Sequence, residues 1–200
     1  MKFAQIPKDT FGAMQLEAGM LLKTFDPESA EAPADEDIIC ATTGGITINC
    51  APTYSDMGED VDNAPVNVME LMKQDGWDCS IAFTALSTST EFIRTALGAA
   101  DVDGNKVTPR RELKQSDFKD VWWVGDKAGG GWVAVKLLNA LSTSGLSLKT
   151  TKSGKGQISV TLTGHVSVTA QDVVPMEFYT SAEAEAAAAS VPDDDEEVGV

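Results

Sequence analysis

The stretch "VWWVGDKAGGGWVAVKL" at residues 121–137 holds Trp122, Trp123 and Trp132, three of the chain's four tryptophans, around a run of glycines. Glycines between apolar runs are the raw material of a phosphate-binding loop, and exposed aromatic rings can serve as a stacking platform. A phosphate loop also needs Lys and then Ser or Thr after its last glycine, followed by a helix. Here Gly130 is followed by Gly131 and Trp132 and then by a strand-like apolar run, so phosphate chemistry is not expected. Consecutive side chains of a strand face opposite sides, so Trp122 and Trp123 cannot form one platform. The pattern predicts one of them in the core and one at a subunit contact, where large aromatics are favoured. Trp122, Trp123 and Trp132 are therefore the candidates for a subunit contact.

Other chemistry-bearing residues are sparse. In "DVDGNKVTPRRE", Asp101, Asp103, Asn105 and Glu112 occupy calcium-loop positions 1, 3, 5 and 12, but the position that needs Gly for the sharp turn is Lys106. Pro109, Arg110 and Arg111 count further against a cation, and a polar turn is the expectation. His165 is the only histidine and lies in a strand-like run, "TLTGHVSV", with no nucleophile and orienting partner marked out for it. Cys40, Cys50 and Cys79 form no C-x-x-C pair, so zinc is not expected. Cys40 and Cys50 flank Gly44-Gly45 and would face each other across a hairpin there, as thiols in a reducing compartment. No pair of carboxylates stands out as a glycosidase couple. The sequence thus predicts no enzyme, no cofactor and no metal.

The elements around these residues read as mostly β. Residues 11–25 suggest an early strand or two short ones, and residues 26–37, with two prolines and six acids, a loop. β-Branched runs around Gly44-Gly45 predict a hairpin over 38–50, followed by a long acidic loop over 51–65. Residues 66–76 could form a short helix or enter the next strand. Trp77, Cys79, Ile81 and Phe83 alternate and favour a strand. Ser and Thr caps, Phe92, Ile93, Ala96 and Leu97 at helical spacing, and Gly98 predict one helix at about residues 88–98. Two strands flank the glycine-rich loop. A second hairpin turns at residues 153–156, and "DVVPMEFYT" closes the body as a strand. The domain is expected to span 1–180, with an acidic, disordered tail at 181–200. The sum is a β-sandwich or barrel with a helix packed on it.

Charge is unevenly spread. The net charge is −16, yet residues 73–180 carry eleven acids and twelve bases. Residues 26–72 carry eleven acids and no base, and residues 181–200 seven acids and no base. Tight binding to phosphates needs clustered Lys and Arg, which this distribution does not offer. No apolar run is long enough for a transmembrane helix. The start of the chain lacks the pattern of a secretory signal, so the cytoplasm of the producing cell is the expected place of synthesis.

The succession "GMLLKTFDP", "ATTGGITI", "APTYSDMGEDVDNAP", "DFKDVWWVGD", "VAVKLLNALSTSGLSL", "GKGQISVTLTGH" and "VPMEFY" resembles the major tail proteins of tailed bacteriophages, as found in siphovirus-like phages and prophages of Gram-positive bacteria. The resemblance spans residues 11–179 and rests on the order of its parts rather than on one motif. It implies a mainly β sandwich or barrel of the tail-tube type, with one flanking helix and a long extended loop in the first half. Such subunits form hexameric rings that stack into a tube through which DNA enters the host, in a virion tail assembled in the host cytoplasm. The partners implied are further copies of the chain, a tape measure protein in the lumen, and tail terminator and baseplate or tip proteins. DNA passes without specific binding, and no membrane insertion is expected. An anionic lumen would repel phosphates and remove the wells that basic side chains create.

By position, residues 51–65 are the candidate arm between rings. Tyr54, Asp56, Glu59, Asp60 and Asp62 are its candidate contact or lumen residues, and Arg110, Arg111 and Lys114 a candidate basic patch to receive them. The alternatives are the inner tube of a contractile injection or secretion particle, and a β-sandwich module that binds carbohydrate or calcium.

Overall fold

In the computed structural model, which describes residues 5–8, 10–29 and 31–181, the protein is mainly β. The first strands are β1 (Gln15–Leu22), β2 (Ile38–Cys40) and the long pair β3 (Thr42–Asp56) and β4 (Met72–Ala85). The helix α1 (Thr90–Leu97) follows, then a small hairpin of β5 (Ala100–Asp103) and β6 (Lys106–Pro109). The body is completed by β7 (Lys119–Lys127), β8 (Trp132–Ser142), β9 (Ser147–Lys149), β10 (Gln157–Thr163) and β11 (Met176–Thr180). Nine of the described strands join in one antiparallel sheet, seven along the path β2-β1-β7-β8-β10-β4-β3, with β11 also on β8 and β9 also on β10. Its two halves pack on one core, an arrangement consistent with a β-sandwich. Leu21, Trp123, Val135 and Leu137 come from one half, and Ile81, Phe83, Val160 and Leu162 from the other.

The two halves meet in β8. Its first part pairs with β7 and with β11, while Leu141 and Ser142 pair with β10. The change of direction falls at Asn139, whose φ of 46° lies in the left-handed region that Asn tolerates better than most residues. The Asn139 amide N–H donates to Asp120 Oδ1 at 3.0 Å, and its Nδ2 donates to the His165 carbonyl at 3.0 Å. His165 Nδ1 lies 3.2 Å from the Asn139 carbonyl, which can only accept, so that nitrogen carries the proton. The ring also meets Phe118 edge-on at 5.2 Å. The single histidine is thus a brace at this corner.

The helix starts and stops where its residue types predict. Ser89 Oγ accepts the Phe92 N–H at 3.2 Å, and the backbone leaves the helix at Gly98. Phe92 and Ala96 are buried in the core. Buried Ser142 donates its hydroxyl to the Ala96 carbonyl at 2.7 Å, which satisfies a last-turn acceptor and ties α1 to the end of β8.

Two expectations are corrected here. Gly44-Gly45 is not a hairpin turn: β3 runs through it, with Thr43 opposite Thr84 and Ile46 opposite Phe83. The two glycines, at φ 78° and 85°, are inserted residues that bulge without ending the pairing. Cys40 therefore sits opposite Leu21, and Cys50 opposite Cys79 rather than Cys40. The acidic loop is also displaced. Residues 51–56 belong to β3, and the connection proper is 57–71, ending in a 3-10 turn at Met69–Leu71. Apart from Ser181, the acidic tail expected at 181–200 lies outside the described residues.

The tryptophans explain the bulge in β1. Trp123 Nε1 donates to the Ala18 carbonyl at 2.9 Å, and the β1–β7 register slips between Leu16 and Met20. Gly19, at φ 68°, lies so close that a Cβ there would stand 2.5 Å from the Val124 carbonyl oxygen and 2.6 Å from Trp123 Nε1. At the other end of β7, the chain near Gly12 lies against the glycine-rich loop. Gly129 N–H donates to the Gly12 carbonyl at 3.1 Å, and a Cβ on Gly129 would fall 2.8 Å from Gly12 Cα. Gly19→Ala therefore combines a disfavoured φ with a clash against backbone. It should destabilise the fold by about 2–3 kcal/mol, read as a lower urea midpoint at unchanged slope.

Candidate functional site

The outer half of the β3–β4 hairpin packs against no other element among the described residues. From Ala85 back to Cys79 the odd-numbered residues of β4 are buried, one per pleat, and from Asp78 back to Met72 none is. The ladder nevertheless continues from Cys50↔Cys79 to Asp56↔Met72. The outer half of the hairpin therefore extends beyond the core, held by its own backbone pairing. β3 is the last strand of its path, so one side of it pairs with nothing in the described chain. A single exposed hairpin is marginal in water, and a long free edge invites pairing with another chain.

The tip is ordered by Asp56. Its Oδ1 accepts the Gly58 N–H at 2.8 Å and its Oδ2 the Asn67 N–H at 3.0 Å, so one carboxylate gathers both ends of the turn. Met57 N–H also donates to the Leu71 carbonyl at 2.9 Å. Asp56 is thus a structural anion of the tip. Glu59, Asp60 and Asp62 point to solvent, as does Tyr54 on β3.

Between these acids stand apolar side chains that the sequence reading passed over: Met57, Val61, Val66 at 82% exposure and Met69 at 79%. Trp77 and Met72 on β4 are also exposed. Apolar groups concentrated on a projecting element mark an interaction surface. The signal was present in the sequence, as Met and Val recurring among the acids of 56–70, but net charge masked it.

The candidate basic patch is arranged differently from the expectation. Arg110 is only 13% exposed in its side chain, and its Nη2 lies 2.6 Å from Asp117 Oδ1, itself 2% exposed. Its Nη1 donates to the Glu112 carbonyl at 2.9 Å. Nε lies 2.8 Å from Asp101 Oδ1, a close ionic contact in which the N–H is not aimed at the oxygen. Arg110 is therefore engaged inside the chain, where it fastens the β5–β6 hairpin to the turn at Gln115–Asp117. Lys114 reaches Asp101 at 3.6 Å and remains exposed, as does Arg111. Among the described residues no ion pair joins the tip acids to these bases.

Burial pushes the Asp117 carboxyl up, but the Lys114 N–H and the Arg110 guanidinium outweigh it and hold its pKa below the ordinary value. Calcium-loop chemistry finds no frame in this region, because residues 100–109 form a β-hairpin with Asp101 opposite Thr108 and Asp103 opposite Lys106.

Both members of the Trp pair are enclosed by this chain's own side chains. Trp123 is 8% exposed in the main core, and Trp122, at 7%, lies on the opposite face of β7. There Phe25 stands edge-on to Trp122 at 5.6 Å and to Trp132 at 5.1 Å, Tyr179 packs at 5.3 Å, and Lys136 Nζ lies 5.4 Å from the Trp122 ring. Little of Trp122 or Trp123 is left to offer a neighbour, whereas Trp132 keeps some exposed surface.

A cleft of about 370 Å³ opens between α1 and the β7–β8 corner. Charged groups of both signs line it, and several are already paired, as Lys23 is with Glu91 at 3.2 Å. Among the described residues, no helix is long and apolar enough to cross a membrane. A scan against protein-family models and a search of curated proteins return no match to this chain.

Asp117→Asn should lower stability near pH 7 by about 2–3 kcal/mol, since it leaves Arg110 without its buried counter-charge. The native Asp117 pKa is depressed, so its contribution is full above the unfolded value near 4 and is lost as pH falls through the lower native value. The gap between wild type and variant should therefore close below about pH 4 in urea titrations.

Proposed function

We propose that this chain is a phage tail-tube subunit, a structural virion protein whose copies assemble into stacked hexameric rings that conduct DNA into the host. The observation that carries the reading is the β3–β4 hairpin. It is a long, paired arm with a free edge, an uncovered outer half and a tip that mixes Met and Val with acids. In a lone molecule such an arm exposes apolar surface with nothing gained, whereas between copies it would be covered. The body agrees with this reading in its antiparallel strands, its flanking helix and the sequence resemblance set out above. An acidic surface with Arg110 engaged internally suits a conduit that must not retain phosphates. Repeated head-to-tail contacts that do not close on themselves yield a filament, which is the geometry of a stack of rings.

The arm is assigned to contacts between copies, with its apolar residues as the adhesive part and Glu59, Asp60 and Asp62 as charges that set partner choice. Purified protein examined by negative-stain electron microscopy should show rings or hollow rods, and persistent monomers at high concentration would count against the reading. Replacing Glu59, Asp60 and Asp62 together by Lys should abolish rods while leaving the monomer's melting temperature within a few degrees of wild type, because all three lie outside the core. Normal rods from that variant would remove the acids from the contact. Loss of rods on Met69→Asp with Val66→Asp, with the acids intact, would assign the contact to the apolar tip.

A further inference from the structure

Where the hairpin leaves the body, two thiols meet. Cys50 on β3 and Cys79 on β4 are directly opposed, with Sγ atoms 3.3 Å apart. Cys79 is the first buried residue of β4 on passing from the arm into the body, and Cys50 packs at the margin of the same core. Directly opposed residues of an antiparallel pair have Cα atoms roughly 4.5–5.5 Å apart, inside the range a disulfide spans. Closing the bond needs the sulfurs to approach to about 2.05 Å with a Cβ–S–S–Cβ dihedral of about ±90°. Cys40, the third thiol, stands opposite Leu21 and has no such neighbour among the described residues.

We propose that Cys50 and Cys79 form a redox-active dithiol that a small disulfide oxidant closes into a staple across the root of the arm. The two sulfurs differ in access, which orders the steps. Cys50 is partly exposed and Cys79 buried. Burial first, and then the hydrogen bond and charge of Cys50 and the charge of Asp78, push the Cys79 thiol up to about 12, and burial pushes Cys40 up to about 12 as well. Cys50 is the sulfur that a reagent can reach from solvent, so it is the entry point.

With oxidised glutathione, the Cys50 thiolate attacks one sulfur of the reagent, forming a protein–glutathione disulfide and releasing one glutathione thiolate. Cys79 gives up its proton and attacks Cys50 Sγ, expelling the second glutathione thiolate. Two protein thiols are oxidised to one disulfide, one glutathione disulfide is reduced to two thiols, and the two protein protons end on the released glutathione. The staple closes the hairpin at the last pair anchored in the core and fixes the register of everything beyond it. This concerns the single chain and stands apart from what the arm docks against.

The test is peptide mapping of the folded full chain after treatment with oxidised glutathione near pH 8.5 and alkylation without reduction. One Cys50–Cys79 linkage is expected, with Cys40 alkylated only after denaturation, and with amide exchange in residues 51–56 and 72–78 slowed several-fold. Cys79→Ala should stop at the glutathione adduct on Cys50, and Cys50→Ala should leave Cys79 unmodified. Free Cys50 and Cys79 after treatment of wild type, an adduct at Cys50 that never closes, a linkage through Cys40, or unchanged exchange in the arm would each overturn the proposal. The wild-type map does not depend on either variant folding.

Discussion

A strand that serves both halves of a folded sheet must turn its hydrogen-bonding direction partway along, and in this protein that turn is made at Asn139. β8 bonds to β7 and β11 before it and to β10 after it. The left-handed backbone would cost more for a branched residue, and the amide and carbonyl that the turn removes from the ladder need partners. Asp120 and His165 supply them. Because His165 lies just after β10 and Asp120 lies in β7, the same contacts tie the two halves to each other. The core, the seating of α1 through Ser142 and the placement of the β3–β4 arm all follow from that corner.

The arm is the converse case, a region whose order owes little to the core. Its pairing runs from Cys50↔Cys79 to Asp56↔Met72 with no buried side chain on β4 beyond Cys79. Backbone hydrogen bonds and the Asp56 carboxylate hold its shape. Asp75 adds cross-strand support, accepting from Ser55 and pairing with Lys73, and those two contacts lower its pKa. An element built this way has low intrinsic stability and a large uncovered surface. Both properties suit a part that finishes folding against another molecule.

Much of this architecture was legible locally, and the exceptions share one cause. The helix announced itself because its caps, apolar spacing and terminal glycine all lie within a dozen residues. β7 and β8 were legible as apolar runs on either side of the glycine-rich loop, and β10 because Ile158, Val160 and Leu162 alternate. Gly44-Gly45 misled because a turn and a bulge use the same residue and the same φ, and only the distant partner, β4, distinguishes them. The loop over 51–65 misled for a related reason. Its first residues have no apolar alternation because neither face is buried, yet the backbone ladder continues. Arg110 read as part of a candidate basic patch because Asp117, which engages it, is seven positions away across an irregular turn. Pairing over long separations leaves little trace in local pattern, while charge and exposed Met and Val are visible but carry no address.

The crossing of Gly12 and Gly129 makes two distant parts of the sequence depend on each other. Since a side chain on Gly129 would strike the other segment's backbone rather than a movable side chain, no change in neighbouring rotamers can accommodate it. A mosaic gene that inherited one of these segments from another lineage would tolerate the exchange only if the incoming piece preserved the same bare crossing. Of the glycines in "GDKAGGGW", Gly129 thus marks a place where two segments far apart in sequence can change only together.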